Sequence, residues 1–222
     1  MNEYSFIIVN GEPRRFGTVI MKQNSDKYQR IMEAAVKVFA EQGFFQSTVA
    51  QVAKEAGVAD GTIYLYFKNK DDILVQFYQF KTKQVFDRFR QAVDQEDTAL
   101  GKLRNLIRTH LEEFQKDPNM AIVYQVETHQ QRRLAQDPIK EMSKMYRDII
   151  SEVVELGQEE GTIRRSLYMG LVKRLINGAV DEVINAWIHT GGNYDLASMA
   201  DPLVDLFING IGTPAVVGEA RS

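Results

Sequence analysis

Apolar residues recur at helical spacing along almost the whole chain from residue 25 onward. Ile31, Ala34, Ala35, Val38 and Phe39 form one stripe, at the three- and four-residue intervals that line one side of an α-helix. Ser25 is placed to cap that helix, and Gly43 to end it in the left-handed conformation that glycine adopts without strain. Ser47 or Thr48 opens a second, short helix carrying Val49, Val52 and Ala53, which stops at Gly57, and a third short helix follows almost at once. Longer periodic segments cover 69–94, 97–116, 119–134, 138–160, 167–189 and 196–209. They are separated at Asp117-Pro118, Asp137-Pro138, Gly161 and Gly191-Gly192, where proline or glycine makes helix continuation costly. The pattern predicts an all-α protein in which a three-helix head precedes a larger helical body. Before residue 21 the helical period is missing, and residues 6–9 and 18–20 read as short extended pieces around Asn10-Gly11. Residues 1–21 are therefore expected to be an N-terminal extension, disordered or not native, with Met21 as an alternative start and an ordered hairpin as the other reading.

The chemistry concentrates between Thr48 and Lys70. Two helices of about eight residues, joined by a turn of roughly three or four residues at Gly57, have the length and spacing of a helix-turn-helix. Val52, Ala53, Val58 and Ile63 supply its small internal core, and small alanines let the two helices cross closely. Thr62, Tyr64 and Tyr66 are left to approach DNA, with Thr62 near the helix end that enters the major groove. Gly61 lets the backbone come close to a phosphate, Thr48 stands at the start of the second helix, and Lys68 and Lys70 add charge at the edge. Asn69 is positioned to cap the next helix, whose N-terminal dipole would reinforce Lys68. Phe67 falls on the buried side with Ile63.

Charge sharpens this picture. With 27 Lys and Arg against 30 Asp and Glu the net charge is -3, so nonspecific coating of nucleic acid is excluded and any DNA contact must be local. Between Lys22 and Lys70 there are seven basic and five acidic residues, a mildly basic head inside an acidic chain. There are no cysteines, which removes disulfides and thiolate metal sites and fits a reducing cytoplasm. His110, His129 and His189 fall on different helices without metal-ligand spacing, and Glu127 with His129 makes a poor pair. No nucleophile elbow, phosphate loop, dinucleotide fingerprint or zinc-protease motif occurs. The expectation is a binding protein and not an enzyme, with no metal and no cofactor. No apolar run reaches membrane-spanning length, so no membrane partner is expected and the location is cytoplasmic.

Several marks now combine: the Gly43-Phe44-Phe45 exit from helix one, Ser47-Thr48, Ala53, Gly57-Val58, and the run from Gly61 through Thr62, Ile63, Tyr64, Leu65, Tyr66, Phe67, Lys68 and Asn69 to Lys70. Together they resemble the DNA-binding head of the TetR family of bacterial repressors. Asp60 departs from the pattern, where a serine followed by a basic residue is commoner; it is suited to the N-terminal end of the recognition helix. The resemblance implies a plan of nine or ten helices, a homodimer on a palindromic double-stranded operator, and an intersubunit four-helix bundle built by the last two long helices. The expected domains are 22–68 for DNA binding and 69–212 for ligand binding and dimerisation, with 213–222 as a tail. Apolar stripes suited to pairing are Met145, Ile149, Val153 and Leu156 on one helix, and Leu171, Leu175, Ala179, Val183 and Ala186 on the other; some of these must face their own core.

Beyond the head the chain is similar to a Gram-positive subgroup that senses long-chain acyl-CoA and regulates fatty-acid degradation. The head string from Val58 to Lys70, Ala121-Ile122-Val123 after Asp117-Pro118-Asn119, Val180-Asp181-Glu182 before Trp187, and Tyr194-Asp195-Leu196 carry that likeness. An acyl-CoA effector needs an apolar tunnel, for which Phe86, Phe89, Leu103, Ile107, Leu111, Tyr124 and Trp187 are candidates, with Phe114 beside them, although ordinary core packing explains each as well. It also needs cations for its phosphates, for which Arg104 and Arg108, one turn apart, and Arg132-Arg133 are candidates. The alternatives are a regulator of efflux or other genes sensing a different apolar ligand, and a helical adaptor that binds protein alone.

Overall fold

The computed structural model describes the backbone at residues 6–9, 12–15, 26–129 and 136–210, and side chains at 26–126 and 140–210. The chain divides into two compact units, Met1–Tyr78 and Gln79–Ser222.

In the first unit, strands β1 (Phe6–Val9) and β2 (Glu12–Arg15) pair antiparallel, with Val9 opposite Glu12 and Phe6 opposite Arg15. The second extended piece thus lies at Glu12–Arg15; the expected piece at 18–20 and the Ser25 cap fall outside the described residues. Helix α1 (Asp26–Gln42) buries Ile31, Ala35, Val38 and Phe39, the stripe its sequence displays. It ends at Gly43, where φ is +79° and the N–H returns to the Phe39 carbonyl at 3.0 Å. Helix α2 (Val49–Glu55) starts from a reciprocal capping box. The Thr48 hydroxyl accepts from the Gln51 N–H at 3.2 Å, while the Gln51 side chain accepts from the Thr48 N–H at 2.8 Å. Ser47, the other candidate for that cap, is buried instead and donates its hydroxyl to the Gly43 carbonyl at 2.6 Å.

Gly57 turns the chain with φ +63°, a conformation costly for any residue carrying a Cβ, and the Val58 N–H then closes on the Ala53 carbonyl at 3.0 Å. Helix α3 (Asp60–Ile63) follows. It has four residues instead of about eight because bonding tightens after Thr62: Leu65 N–H donates to Thr62 at 3.2 Å and Tyr66 N–H to Ile63 at 3.0 Å, three residues back. Val52, Ala53 and Ile63 are completely buried, so the close crossing demanded by the small residues is realised. Helix α4 (Lys70–Asp94) then carries the chain from the first unit into the second.

In the second unit, α5 (Ala99–Lys116) is central. It packs against α6 (Pro118–His129), α7 (Gln136–Glu160), α8 (Met169–His189), a single 3-10 turn (Leu196–Met199) and α9 (Ala200–Asn209). Its inner face, Leu103, Leu106, Ile107, His110, Leu111 and Phe114, is buried. Thr98 caps it by accepting from the Gly101 N–H at 3.2 Å, and Asp117 caps α6 by accepting from Met120 N–H at 3.0 Å just before Pro118, whose missing N–H costs nothing in the first turn. The segment predicted as 196–209 is the 3-10 turn followed by α9.

Candidate nucleic-acid interface and effector core

Alternation of buried and exposed residues through α3 sets out the candidate reading surface. Ile63 and Phe67 are buried, whereas Tyr64 is 60% exposed and Leu65 63% exposed. Thr62 and Tyr66 are half-buried, and Gly61 and Lys68 exposed. A Cβ placed at Gly61 would meet nothing within 4 Å, so this stretch of backbone is open to an approaching partner. Tyr66 is braced from behind: its ring lies 6.3 Å from Tyr28, which stacks on Phe67 at 5.1 Å. The Tyr28 hydroxyl donates to Gln76 at 2.9 Å, and burial, then the Asp72 carboxylate, push it up to about 12. Leu65 and Phe45, 68% exposed, stand among the family marks but not among the expected contact residues; an apolar residue in an exposed register after Tyr64 is the available signal for Leu65.

Two further candidates are engaged within the head. The hydroxyl of Thr48 is committed to its capping box. The Lys70 ammonium donates to the carbonyls of Phe44 at 2.6 Å, Ser47 at 2.9 Å and Phe45 at 3.1 Å, and sits 4.6 Å from the centre of the Phe44 ring. It ties the α1–α2 loop to the start of α4. Asn69 does cap α4, accepting from Asp72 N–H at 2.8 Å, and Asp72 in turn accepts from Lys68 N–H at 2.8 Å. This reciprocal box uses the Lys68 N–H internally, and Asp71 and Asp72 fill the first turn, so the helix dipole there is already met by carboxylates.

In the second unit the expected apolar tunnel residues are core. Leu103, Ile107, Leu111, Phe89, Tyr124 and Trp187 are all buried. The indole N–H of Trp187 donates to the Tyr194 carbonyl at 2.9 Å, which pins the turn after α8. Phe86 is half-buried beneath the Arg90 guanidinium, 5.4 Å from its ring centre, and Arg90 also holds Glu152 with a bond of 2.8 Å. Arg104 and Arg108 converge on one carboxylate, Asp201 of α9, at 2.8 and 2.9 Å. Arg132 and Arg133 lie outside the described residues. Among the described residues no group of three or more His, Asp or Glu side chains is arranged to hold a metal, and no helix is long and apolar enough to cross a membrane.

Residues 31–77 match the bacterial regulatory proteins of the tetR family, and residues 78–210 match the YsiA-like protein C-terminal region. The chain belongs to the TetR family. Its relatives include the fatty acid metabolism regulator protein of Bacillus subtilis strain 168, 39% identical over 191 residues that cover 86% of this chain and 98% of that protein. Two solved structures share the fold of this TetR-family member. One is the transcriptional regulator FadR from Bacillus subtilis in complex with stearoyl-CoA, with TM-score 0.77, 38% identity, and coverage of 83% of this chain and 100% of that one. The other is the fatty acid degradation regulator FadR from Bacillus halodurans, with TM-score 0.79, 36% identity, and coverage of 85% and 97%. A more distant relative is the transcriptional repressor KstR2 of Mycobacterium tuberculosis, 26% identical over 193 residues covering 85% of this chain and 94% of that protein.

One more surface of this TetR-family chain stands out. On α8, Leu171 is 63% and Leu175 58% exposed, Tyr168 just ahead of them is 77% exposed, and Ala186 is exposed on the same side. Gly178 has open space where a Cβ would be. The opposite side of α8, Ile176, Val180, Ile184 and Trp187, is buried in its own subunit. On α7, Ile149 and Val153 are buried within the chain, while Met145 and Leu156 are half-buried.

Proposed function

We propose that this chain is a ligand-released transcriptional repressor of fatty-acid degradation genes, binding a palindromic operator as a homodimer and leaving it when long-chain acyl-CoA binds. The observation that carries the reading is the 39% identity maintained along 98% of the Bacillus subtilis fatty acid metabolism regulator, joined to the fold shared with a stearoyl-CoA complex. The DNA contacts fall to Thr62, Tyr64, Tyr66 and Lys68, with Gly61 allowing close backbone approach. Thr48 and Lys70 act from behind by holding α2 and the α1–α2 loop. Two hydroxyl-bearing rings and one lysine per subunit suit phosphate positioning better than base readout, and the lysine of each subunit makes the affinity fall with salt.

Pairing follows from α8. Large apolar side chains at Leu171 and Leu175, followed by Gly178 and Ala179, form the kind of stripe that a second copy covers, with the small residues permitting close approach of the helices. The core around Leu103, Ile107, Leu111 and Phe89 has the apolar character an acyl chain requires. Arg104 and Arg108 are the candidate phosphate ligands, in exchange for Asp201. The effector acts by binding more tightly to a conformation of low operator affinity; a coupling of about 1–3 kcal/mol gives a 5- to 150-fold loss. The chain works by binding alone, not as an enzyme, and in the cytoplasm where operator DNA is found. The relationship to KstR2 favours one other reading, a regulator of the same build with a different apolar effector.

The test is fluorescence anisotropy on a duplex selected by the purified dimer from random sequence. Stearoyl-CoA is expected to release the duplex at a stoichiometry of one per subunit. Unchanged anisotropy across the titration removes the acyl-CoA reading, and mass spectrometry of the ligand retained on purification then identifies the other effector.

A further inference from the structure

The interior of the second unit is not uniformly apolar. His110 on α5 is enclosed by three rings from three helices: Phe89 at 5.3 Å, Phe114 at 5.3 Å, and Tyr146 edge-on at 4.6 Å. His110 is 7% exposed and Tyr146 3%. Among the described residues, neither His110 Nδ1 nor the Tyr146 hydroxyl has a hydrogen-bond partner, and the buried Thr82 hydroxyl on α4 lacks one too. Folded chains leave few buried polar atoms unpaired. Two of them on adjacent rings, from α5 and α7, point to a partner that the described residues do not supply.

The electrostatics define the kind of partner. Burial depresses the His110 imidazole from its ordinary 6.5 to about 3, so it is neutral. Burial, then the carboxylate of Asp181 and the neighbouring Tyr124, raise the Tyr146 hydroxyl well above its ordinary range, so it keeps its proton. A phenol O–H is a neutral donor, and so is an imidazole in its Nδ1–H tautomer. A second carboxylate brought beside Asp181, whose charge reaches both Tyr146 and Tyr124, would meet like charge in a medium that screens poorly, offset only in part by the Arg147 guanidinium that acts on Tyr124. A neutral carbonyl oxygen meets no such repulsion.

We propose that His110 and Tyr146 are the specificity-determining pair of the effector core, donating hydrogen bonds to the thioester carbonyl oxygen of a bound acyl-CoA and thereby selecting the thioester over the free fatty acid. This rests on the acyl-CoA reading above. His110 sits on the same inner face of α5 as Leu103, Ile107 and Phe114, where the acyl chain is expected, and Tyr146 of α7 lies edge-on against it.

The experiment measures binding of three probes to the full-length dimer by calorimetry: stearoyl-CoA, its thioether analogue S-octadecyl-CoA, which has a methylene in place of the carbonyl, and stearate. The unaltered protein is expected to prefer stearoyl-CoA over the thioether by about 5- to 20-fold, the effect of one to two neutral hydrogen bonds, and to bind stearate most weakly. Tyr146→Phe is expected to narrow the thioester-to-thioether ratio by about 3- to 10-fold while leaving thioether affinity unchanged and the unliganded Tm equal or higher, because it deletes a hydroxyl that has no partner. His110→Leu narrows the same ratio. Equal affinities for thioester and thioether in the unaltered protein overturn the inference and leave the acyl-CoA reading standing, with the two groups serving a water. A Tyr146→Phe variant that weakens both probes alike overturns it in the same way. Absence of any stearoyl-CoA binding by the unaltered protein overturns both.

Discussion

Replacing Lys70 by methionine keeps the aliphatic stem and removes the ammonium that ties the head together. Its three protons meet the carbonyls of Phe44, Ser47 and Phe45 at 2.6, 2.9 and 3.1 Å. A hydrogen bond from a charged donor contributes about 1.5–3 kcal/mol. The Phe45 carbonyl is exposed and recovers water when the lysine goes, so the part-buried bonds to Phe44 and Ser47 carry the loss. The expected destabilisation is about 3 kcal/mol, a fall in Tm of roughly 6–12 °C for a chain of this size. Thermal unfolding followed by circular dichroism measures it. The competing possibility is a phosphate contact, and the salt dependence of operator binding separates the two. Each neutralised phosphate adds about 0.9 to the slope of log affinity against log salt, so losing one contact in each of two subunits would flatten the slope by about 1.8. An anchor predicts a lower Tm with an unchanged slope. An unchanged Tm with a flattened slope would refute the reasoning and return Lys70 to the DNA-contacting set.

Tyr64→Ala removes an exposed ring and hydroxyl from the reading surface; over two subunits about 1–3 kcal/mol of operator affinity is lost, read by anisotropy, with stability changed by less than about 0.5 kcal/mol. Leu175→Arg places a charge in the exposed apolar face of α8 and is expected to yield a folded monomer in sedimentation velocity; a persisting dimer removes that face from the interface. For His110, the folded-state value of about 3 lies below the ordinary 6.5, so the unfolded chain takes up the proton first as pH falls. Its contribution is therefore complete above 6.5 and declines between 6.5 and 3, at a slope approaching about 1.4 kcal/mol per pH unit. Urea unfolding at pH 7 and pH 5 is expected to show about 2 kcal/mol of lost stability from this group, absent in His110→Leu; parallel pH profiles for the two proteins contradict it. Thr48→Ala, which opens the capping box of α2, is expected to cost about 0.5–2 kcal/mol in the same assay.

The head was legible because its determinants are local. Gly57 with φ +63°, the alternation from Thr62 to Phe67, and the burial of Val52, Ala53 and Ile63 are all consequences of spacing within one stretch of chain. What spacing left undecided was settled by contacts from elsewhere. Ser47 and Thr48 are equally good caps on paper, and the burial of Ser47 against Val38 and Gly43 leaves Thr48 to serve. Helix α3 is shorter than its pattern because the chain tightens to seat Phe67 against Tyr28, a residue of α1. Lys70 looks like a surface cation beside a helix start until the carbonyls of a loop more than twenty residues earlier are brought over it.

The effector core yielded less, and the arginines show why. Arg104 and Arg108 are one turn apart on α5, and the sequence assigns them two positive charges. Their partner Asp201 is more than ninety residues further along, and no local pattern connects the three. Once α9 lies against α5 the carboxylate bridges both guanidinium groups, and the local charge falls from two to one. All three side chains are substantially exposed, so the bridge itself adds little stability. A phosphate arriving there gains the difference between its own bonds and those of Asp201, not the full attraction of two unpaired arginines. On the proposed reading, phosphate recognition at this point is an exchange of anions, and an exchange across exposed groups is weak. On the reading proposed above, the selectivity of the effector domain then falls to groups shielded from water, such as His110 and Tyr146 within the apolar core that surrounds them.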